Sequence, residues 1–236
     1  MPIQEQPSTL LTIVAILPSL FLIYKVYQWD KTEKEPKGLL LSLFILGALS
    51  ILPAVFFELV GTRILLSFFE ENSIWMVIAM FILVVGPVEE GLKYFFLKKR
   101  SWKHKAFDSM FDGIIYALVV SMGFALFENI GYVQQMGLYA AFIRALTAIP
   151  AHATFSVFMG IWYAYAKQCE NRGDIKGMKS NLTKAFLIPA CIHGIYDTIP
   201  SLNIPGSEFI FIVFILFLFR KAYNLVKETA QNDIPL

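Results

Sequence analysis

Long apolar runs separated by short polar segments make up most of the chain. A helix needs about 20 apolar residues to cross the hydrocarbon core of a bilayer, which is about 30 Å thick. Seven runs approach this length, so the pattern predicts an all-α, polytopic membrane helix bundle with about seven transmembrane helices. The predicted spans are Thr9–Tyr24, Gly38–Phe57, Ile74–Leu97, Met110–Val133, Leu138–Ala166, Ala185–Leu202 and Ile204–Tyr223.

The segments between the predicted spans are short, and no internal repeat or low-complexity stretch interrupts them. Because no room is left for a separate soluble domain, we expect a single integral membrane domain over residues 1–236. The protein is then a multi-pass protein of the cell membrane. The segment Leu59–Glu71 follows the second span, and we expect it to lie in the interface as an amphipathic turn of helix.

Basic residues alternate along this pattern. Of the 20 Lys and Arg residues, 17 lie in or beside every second loop and in the C-terminal segment. Since basic residues concentrate on the cytoplasmic side of a membrane, the alternation predicts an N-terminus outside and a C-terminus in the cytoplasm. The basic segments are residues 25–37, 98–105, 167–184 and 220–227.

The composition narrows the class of protein further. Hydrophobic residues make up 57% and charged residues only 16% of the chain, against about half and a quarter in an ordinary globular domain. This excludes a soluble enzyme, a disordered chain and a nucleic-acid binder. Two cysteines, Cys169 and Cys191, are too few for a disulfide framework or a tetrahedral thiolate site.

Ionisable residues inside the predicted spans are the strongest functional signal. Each costs roughly 2.5 to 3.5 kcal/mol at the centre of a membrane helix. Pairing between helices could explain one or two of them, but four carboxylates and two histidines over four spans predict a functional cluster. The cluster comprises Glu89, Glu90, Lys93, Glu128, Asn129, Arg144, His152, His193 and Asp197.

The adjacent pair Glu89 and Glu90 suits general acid–base chemistry, because hydrolysis in a membrane needs a base that activates water. Side chains at neighbouring helix positions point about 100° apart, so the two cannot both face one point directly. Glu89 shares a helix face with Lys93, four residues on. This favours Glu89 as the partner of Lys93 and Glu90 as the base, while either remains possible from sequence.

His152 and His193 are candidates for oxyanion stabilisation, acid catalysis or metal ligation. Together with Glu128 they make two histidines and one carboxylate, the ligand count of a catalytic zinc site. Asp197 follows His193 by four residues and can orient its ring. The soluble zincin motif is absent, so any zinc site is assembled across helices.

At these residues the chain resembles the PrsW family of intramembrane proteases. Five motifs occur in the family's order between Gly86 and Pro200, and we take 86–200 as the catalytic core. The motifs are Glu89-Glu90-Gly-Leu-Lys93, Asp112-Gly-Ile-Ile-Tyr116, Gly123-Phe-Ala-Leu-Phe-Glu128-Asn129, His152-Ala-Thr-Phe and His193-Gly-Ile-Tyr-Asp197. CAAX-processing and bacteriocin-processing membrane proteases look more distantly similar. Where they carry a Phe-x-x-x-His/Asn motif, this chain has Phe124-x-x-x-Glu128, so their oxyanion chemistry does not transfer directly.

The resemblance implies an endopeptidase that cleaves a single-span, membrane-anchored protein. In that family the substrate class is the anti-sigma factor, whose cleavage begins a stress response, and the chemistry is either metal-dependent or glutamate-based. Two other hypotheses fit the polar cluster. One is a proton-coupled transporter in which the same carboxylates and histidines relay protons, although the inverted repeats typical of transporters are not apparent. The other is a non-catalytic scaffold that binds other membrane segments.

Overall fold

The computed structural model describes residues 9–30 and 34–236. Within these residues every regular element is a helix, apart from one isolated β-bridge between Ser109 and Pro235. This confirms the predicted all-α fold class. The elements are α1 (Thr9–Trp29), α2 (Lys37–Leu49), α3 (Ile51–Leu65), α4 (Ile74–Ala79), a π-helical segment (Met80–Val85), α5 (Gly86–Ser101), α6 (Met110–Leu146), α7 (Ala148–Asn171), α8 (Ile175–Ser201) and α9 (Ser207–Gln231).

Five helical stretches of the described residues are long and apolar enough to cross a membrane, which confirms a multi-pass membrane protein. One of them contains two of the predicted spans, and the span predicted in α8 is not among them. The number of seven spans and their orientation therefore stay predictions. Residues 1–8 and Lys31, on which the orientation partly rests, lie outside the described residues. The five stretches are Leu11–Trp29, Lys37–Leu65, Ile74–Ser101, Met110–Asn171 and Ser207–Gln231.

Helix α3 extends farther than the second predicted span. It continues past Phe57 to Leu65, so the first half of Leu59–Glu71 is a continuation of α3, while the interfacial position of this segment stays a prediction. The apolar run persists there, and the Thr62 hydroxyl donates back to the carbonyl oxygen of Glu58 at 2.7 Å without breaking the helix. As a result, Glu58 belongs to a membrane helix.

Helix α6 forms the centre of the bundle. Every residue from Met110 to Leu126 is buried, as expected for a helix that is apolar on all sides. It packs against α1, α2 and α7. Its first turn carries a capping box in which Asp112 and Ser109 bond to each other's backbone N–H groups. Asp112 of the second motif therefore caps the first turn of the helix and is not part of the predicted cluster.

The chain reverses direction within α6, at Gly137. Gly137 adopts φ 73° and ψ −160°, a conformation that glycine reaches without the steric cost of a side chain. The segments on either side then pair antiparallel, since the Ser121 hydroxyl donates to the carbonyl of His152 at 3.0 Å and Arg144 lies 2.8 Å from Glu128. This reversal brings the third and fourth motifs together.

Helices α5 and α8 also run antiparallel, and two glycines let them approach closely. A Cβ atom on Gly86 would lie 2.4 Å from the carbonyl oxygen of Ala190, and one on Gly194 would lie 2.7 Å from that of Phe81. Immediately before α5 the helix widens into its π-helical segment, next to Pro87, which has no N–H to donate to the preceding turn. Such π-helical turns are frequent at functional sites.

Candidate active site

The predicted intramembrane polar residues converge where α5, α6, α7 and α8 meet. Lys93 lies at the centre of this cluster and is only 1% exposed. Its ammonium is 3.1 Å from Oε2 of Glu89, 2.8 Å from Oε1 of Glu90 and 3.2 Å from Nδ1 of His152. It also lies 4.1 Å from the ring centroid of Phe124, within range of a cation–π contact.

The expectation that Glu89 and Glu90 cannot face one point is wrong. Both carboxylates reach the same ammonium, because Lys93 is four residues from Glu89 and three from Glu90, and both spacings bring helical side chains together. The Cβ atoms of Glu89 and Glu90 point in different directions, but the two side chains are long enough to converge on the ammonium.

His193 is held on both edges by carboxylates. Its Nδ1 lies 2.9 Å from Oε1 of Glu90 and its Nε2 lies 3.2 Å from Oδ2 of Asp197. The predicted orienting contact of Asp197 is therefore present. The ring stacks on Phe155, with centroids 4.7 Å apart, and its Nε2 is 3.9 Å from Oε2 of Glu89. These contacts fix the ring at the junction of α5, α7 and α8.

Glu128 joins the cluster from the part of α6 that precedes the reversal at Gly137. Its Oε2 lies 2.8 Å from Nε2 of His152 and 2.8 Å from Nη2 of Arg144. The reversal at Gly137 carries both Arg144 and His152 back alongside Glu128. The ion pair of Arg144 with Glu128 therefore joins the fourth and fifth predicted spans.

Asn129 acts through Arg144 and makes no contact with the glutamate pair. Its Oδ1 accepts from Nε of Arg144 at 2.9 Å, and its Nδ2 donates to the carbonyl of Ala15 at 2.7 Å. This fully buried amide thereby ties α1 to the guanidinium. The arrangement positions Arg144 for its contact with Glu128.

A cavity of about 670 Å³ opens onto the cluster between α3, α6 and α8. Glu89 lines it and is 6% exposed, whereas Glu90 is fully buried and does not. The other predicted residues on its wall are Glu128, Arg144, His152, His193 and Asp197.

One residue that lines this cavity was not predicted from the sequence. Glu58 lines it from α3, and among the described residues its carboxylate has no hydrogen-bond or ion-pair partner. The predicted second span ended at Phe57, the residue immediately before Glu58. The rule that an ionisable residue in a membrane helix indicates function would have identified it.

Four of the predicted residues could hold a metal ion. Donor atoms of Glu89, Glu90, His152 and His193 all lie within 4.8 Å of one another, and all four residues are buried. Nitrogen and oxygen ligands of this kind suit zinc. Oε2 of Glu90 is buried without a hydrogen-bond partner in the described part of the chain, which leaves an oxygen free to bind an ion.

These four residues fit a metal ion better than the predicted ligand set of His152, His193 and Glu128. Glu128 is not in the group of four, since it contacts the opposite edge of the His152 ring from Lys93. Its role as a zinc ligand stays a prediction. Lys93, in contrast, is the cation that three of the four donor residues contact in this structure.

Comparison with known proteins agrees with the geometry. A family model described as PrsW family intramembrane metalloprotease matches residues 35–221. The chain is 36% identical to Protease PrsW of Oceanobacillus iheyensis over 93% of its own length and 95% of the relative's. It is 33% identical to that of Bacillus subtilis, over 78% and 79%, and 29% identical to that of Clostridioides difficile, over 89% and 87%. No solved structure matches the chain.

These relatives are named as proteases, so the transporter hypothesis is not supported. The matched region covers every residue of the polar cluster and most of the membrane helices. The protein is a membrane-embedded hydrolase of peptide bonds, and the chain belongs to the PrsW family of intramembrane proteases.

Proposed function

We propose that Glu89 is the general base of an endopeptidase that cleaves a single-span membrane protein. The observation that carries this assignment is exposure, since only Glu89 of the pair lines the cavity from which water and substrate arrive. Glu90 is instead enclosed by Lys93 and His193. This reverses the preference drawn from sequence, which took the shared face with Lys93 as a sign of a purely structural role.

In this proposal Glu89 takes a proton from water in the cavity as the water attacks the scissile carbonyl, and then passes it to the leaving amine. His193 lines the same cavity. Its two ring nitrogens both face carboxylates, of Glu90 and Asp197, so both carry protons, and the ring stabilises the oxyanion through its positive charge. Lys93 compensates the negative charge of the two glutamates. His152, held between Lys93 and Glu128, forms the adjoining wall.

Zinc is the second mechanism that a specific observation favours. The four clustered donors and the free oxygen of Glu90 fit such an ion, and Glu89, Glu90, His152 and His193 would hold it. When bound, zinc lowers the pKa of a water molecule to about 7. The contributions of Arg144, Asn129 and Asp197 to the shape of the site are the same in either case.

The substrate enters as an extended segment, because a cavity of about 670 Å³ is too small for a folded domain. We propose a membrane-anchored protein of the anti-sigma factor class, as the family resemblance implies, cut to begin a stress response. The carboxylate of Glu58, which has no partner among the described residues, faces this segment.

Replacing each glutamate by glutamine tests the assignment. We expect Glu89→Gln to reduce the cleavage rate of a co-expressed single-span anti-sigma factor by about a hundred- to ten-thousand-fold, because the base is lost. Glu208→Gln removes an exposed carboxylate at the start of α9 and serves as the matched control. Cleavage by Glu89→Gln at the control's rate, with both proteins inserted equally well, would refute Glu89 as the base.

A further inference from the structure

A second cavity, of about 690 Å³, lies at the far end of α5 from the active site. Eight residues along the helix separate Glu90 from Lys98, a distance of about 12 Å. Three aromatic residues line this cavity, namely Tyr94, Phe95 and Trp102. The remaining lining residues are basic, namely Lys98, Lys99, Arg100, Lys103 and His104. We call these eight residues the basic pocket.

The lysine charges of the basic pocket are not neutralised by ion pairs, although Lys103 interacts electrostatically with Glu170. No carboxylate lines it, and Lys98, Lys99 and Lys103 form no ion pair with any described residue. Glu170 approaches through the Trp102 indole, which donates to it at 3.0 Å, but this carboxylate is paired with Lys167 at 2.7 Å. Three lysines therefore remain available to an anion.

The lowered pKa of His104 is consistent with a positive electrostatic potential in the basic pocket. The pKa of His104 is lowered by partial burial and by the neighbouring charges of Arg100 and Lys105, because a cationic surrounding disfavours a further proton. Arg100 is itself held in place, since its Nε donates to the Ser42 hydroxyl of α2 at 2.8 Å. The pocket thus combines one fixed cation with longer, adaptable lysines.

The aromatic residues place the pocket at the membrane surface. The Lys98 ammonium lies 5.9 Å from the ring centroids of both Tyr94 and Trp102, and that of Lys99 lies 5.7 Å from the ring centroid of Phe95. Aromatic rings concentrate at membrane–water interfaces, and lysines there extend their charged ends toward the headgroups. Aromatic rings beside cationic groups match a ligand with an acyl chain and a phosphate group.

We propose that the basic pocket binds the phosphodiester headgroup of an anionic phospholipid. Lys98, Lys99 and Lys103 contact the phosphate oxygens, while Tyr94, Phe95 and Trp102 contact the glycerol and the upper acyl chain. Basic pockets between membrane helices are known to recognise anionic headgroups. A bound lipid would hold the end of α5 against α2 and thereby support the helix that carries the glutamate pair.

The test compares the intact protein in nanodiscs of phosphatidylcholine alone with nanodiscs that also contain phosphatidylglycerol. Native mass spectrometry counts the phosphatidylglycerol retained, and thermal unfolding gives the stabilisation. A variant with Lys98→Gln, Lys99→Gln and Lys103→Gln should bind phosphatidylglycerol about 100-fold more weakly, because each lysine contributes about five-fold. Its unfolding in phosphatidylcholine alone, compared with that of the unmodified protein, checks that it folds.

The matched control removes three exposed basic residues of another segment, with Arg172→Gln, Lys176→Gln and Lys179→Gln. Equal losses of phosphatidylglycerol in the two triple variants would overturn the proposal, because binding would then reflect overall charge. Added inorganic phosphate provides the last arm. If it displaces the retained lipid and stabilises the protein in phosphatidylcholine equally well, the pocket is a site for free phosphate and the lipid assignment is wrong.

Discussion

The Lys93 ammonium lies 3.2 Å from Nδ1 of His152, and this contact assigns the proton of the ring. A protonated lysine can only donate hydrogen bonds. Nδ1 is therefore the acceptor, and the ring proton is on Nε2, from which it is donated to Glu128 at 2.8 Å. A residue of α5 thus sets the tautomer of a histidine on α7, and through it the contact with α6.

Lys93 also compensates the buried glutamates, so its removal should be costly. We expect Lys93→Met, which keeps an unbranched side chain one atom shorter than lysine, to lower the free energy of unfolding by about 3 to 5 kcal/mol, the usual cost of leaving a buried charge unpaired. Thermal unfolding in detergent measures the effect. Lys167→Met, whose pair with Glu170 is partly exposed to solvent, should cost less, about 1 kcal/mol.

A double variant separates charge from packing. If lost compensation is the cause, adding Glu90→Gln to Lys93→Met should restore part of the stability, since it removes one of the two uncompensated carboxylates. A double variant less stable than Lys93→Met alone would contradict this explanation, and would indicate that the length and packing of the lysine matter more than its charge.

The pairings that can be predicted from sequence are those set by helical spacing or by the free-energy cost of an unpaired charge in the membrane. Glu89 with Lys93 and His193 with Asp197 are both four residues apart. Arg144 needed a carboxylate partner wherever the helices placed one. Such contacts follow from local geometry and from the energetic cost of an unpaired charge in lipid.

The contacts that sequence could not give depend on how helices pack. The approach of Glu128 to His152 requires the reversal at Gly137, and the contact of Glu90 with His193 requires the close packing of α5 on α8. The π-helical segment before Glu89 has no local marker except Pro87. Neither the register between helices nor such a widened turn is encoded in hydrophobic periodicity.

Glu35, in the segment between α1 and α2, gives a prediction for pH dependence. It is only 5% exposed, and the Tyr116 hydroxyl contacts its Oε2. The same hydroxyl lies 2.7 Å from the carbonyl oxygen of Ala106. Since a hydroxyl has one proton to donate, both contacts are hydrogen bonds only if Glu35 is protonated. Burial, with a further contribution from the charge of Asp112, raises the pKa of Glu35 to about 9.

The direction in which Glu35 changes the stability with pH follows from proton linkage. Between about pH 4.5 and pH 9 the folded state keeps the Glu35 proton that the unfolded state loses, so this residue stabilises the protein less as the pH rises. Glu35→Gln should therefore make the unfolding temperature fall less steeply from pH 5 to pH 9. Glu71→Gln, which changes an exposed carboxylate, is the control. Parallel curves for Glu35→Gln and the unmodified protein would contradict the assignment.

The topology prediction concerns the loops at Lys103 and Gly206. Because α5 and α8 run antiparallel, the loop after Ser101 and the loop after Ser201 lie at opposite ends of the bundle. With basic residues inside, a reporter fused at Lys103 should be cytoplasmic and one fused at Gly206 should be outside. Finding both reporters on one side of the membrane would refute this arrangement.

The metal content of the purified protein distinguishes the glutamate-based mechanism from the zinc-dependent one. A variant of Lys93 adds a second, independent measurement. If zinc binds the four donors, elemental analysis should find about one zinc per chain. His152→Ala and His193→Ala should lose it, while His104→Ala, which removes the histidine outside the cluster, should keep it. Lys93→Met should bind zinc more tightly than the unmodified protein, because the ammonium that contacts Glu89, Glu90 and His152 is gone.

The direction of the Lys93→Met effect separates a true site from chance binding. A dication among these donors is repelled by the ammonium, and like charges in a buried site interact strongly. Calorimetric titration with zinc should therefore show a higher affinity in Lys93→Met, provided that the variant is folded at the temperature used. Equal affinity in both proteins would place the zinc elsewhere. Full cleavage by metal-free protein in the presence of a strong chelator would then leave Glu89 as the base that activates water.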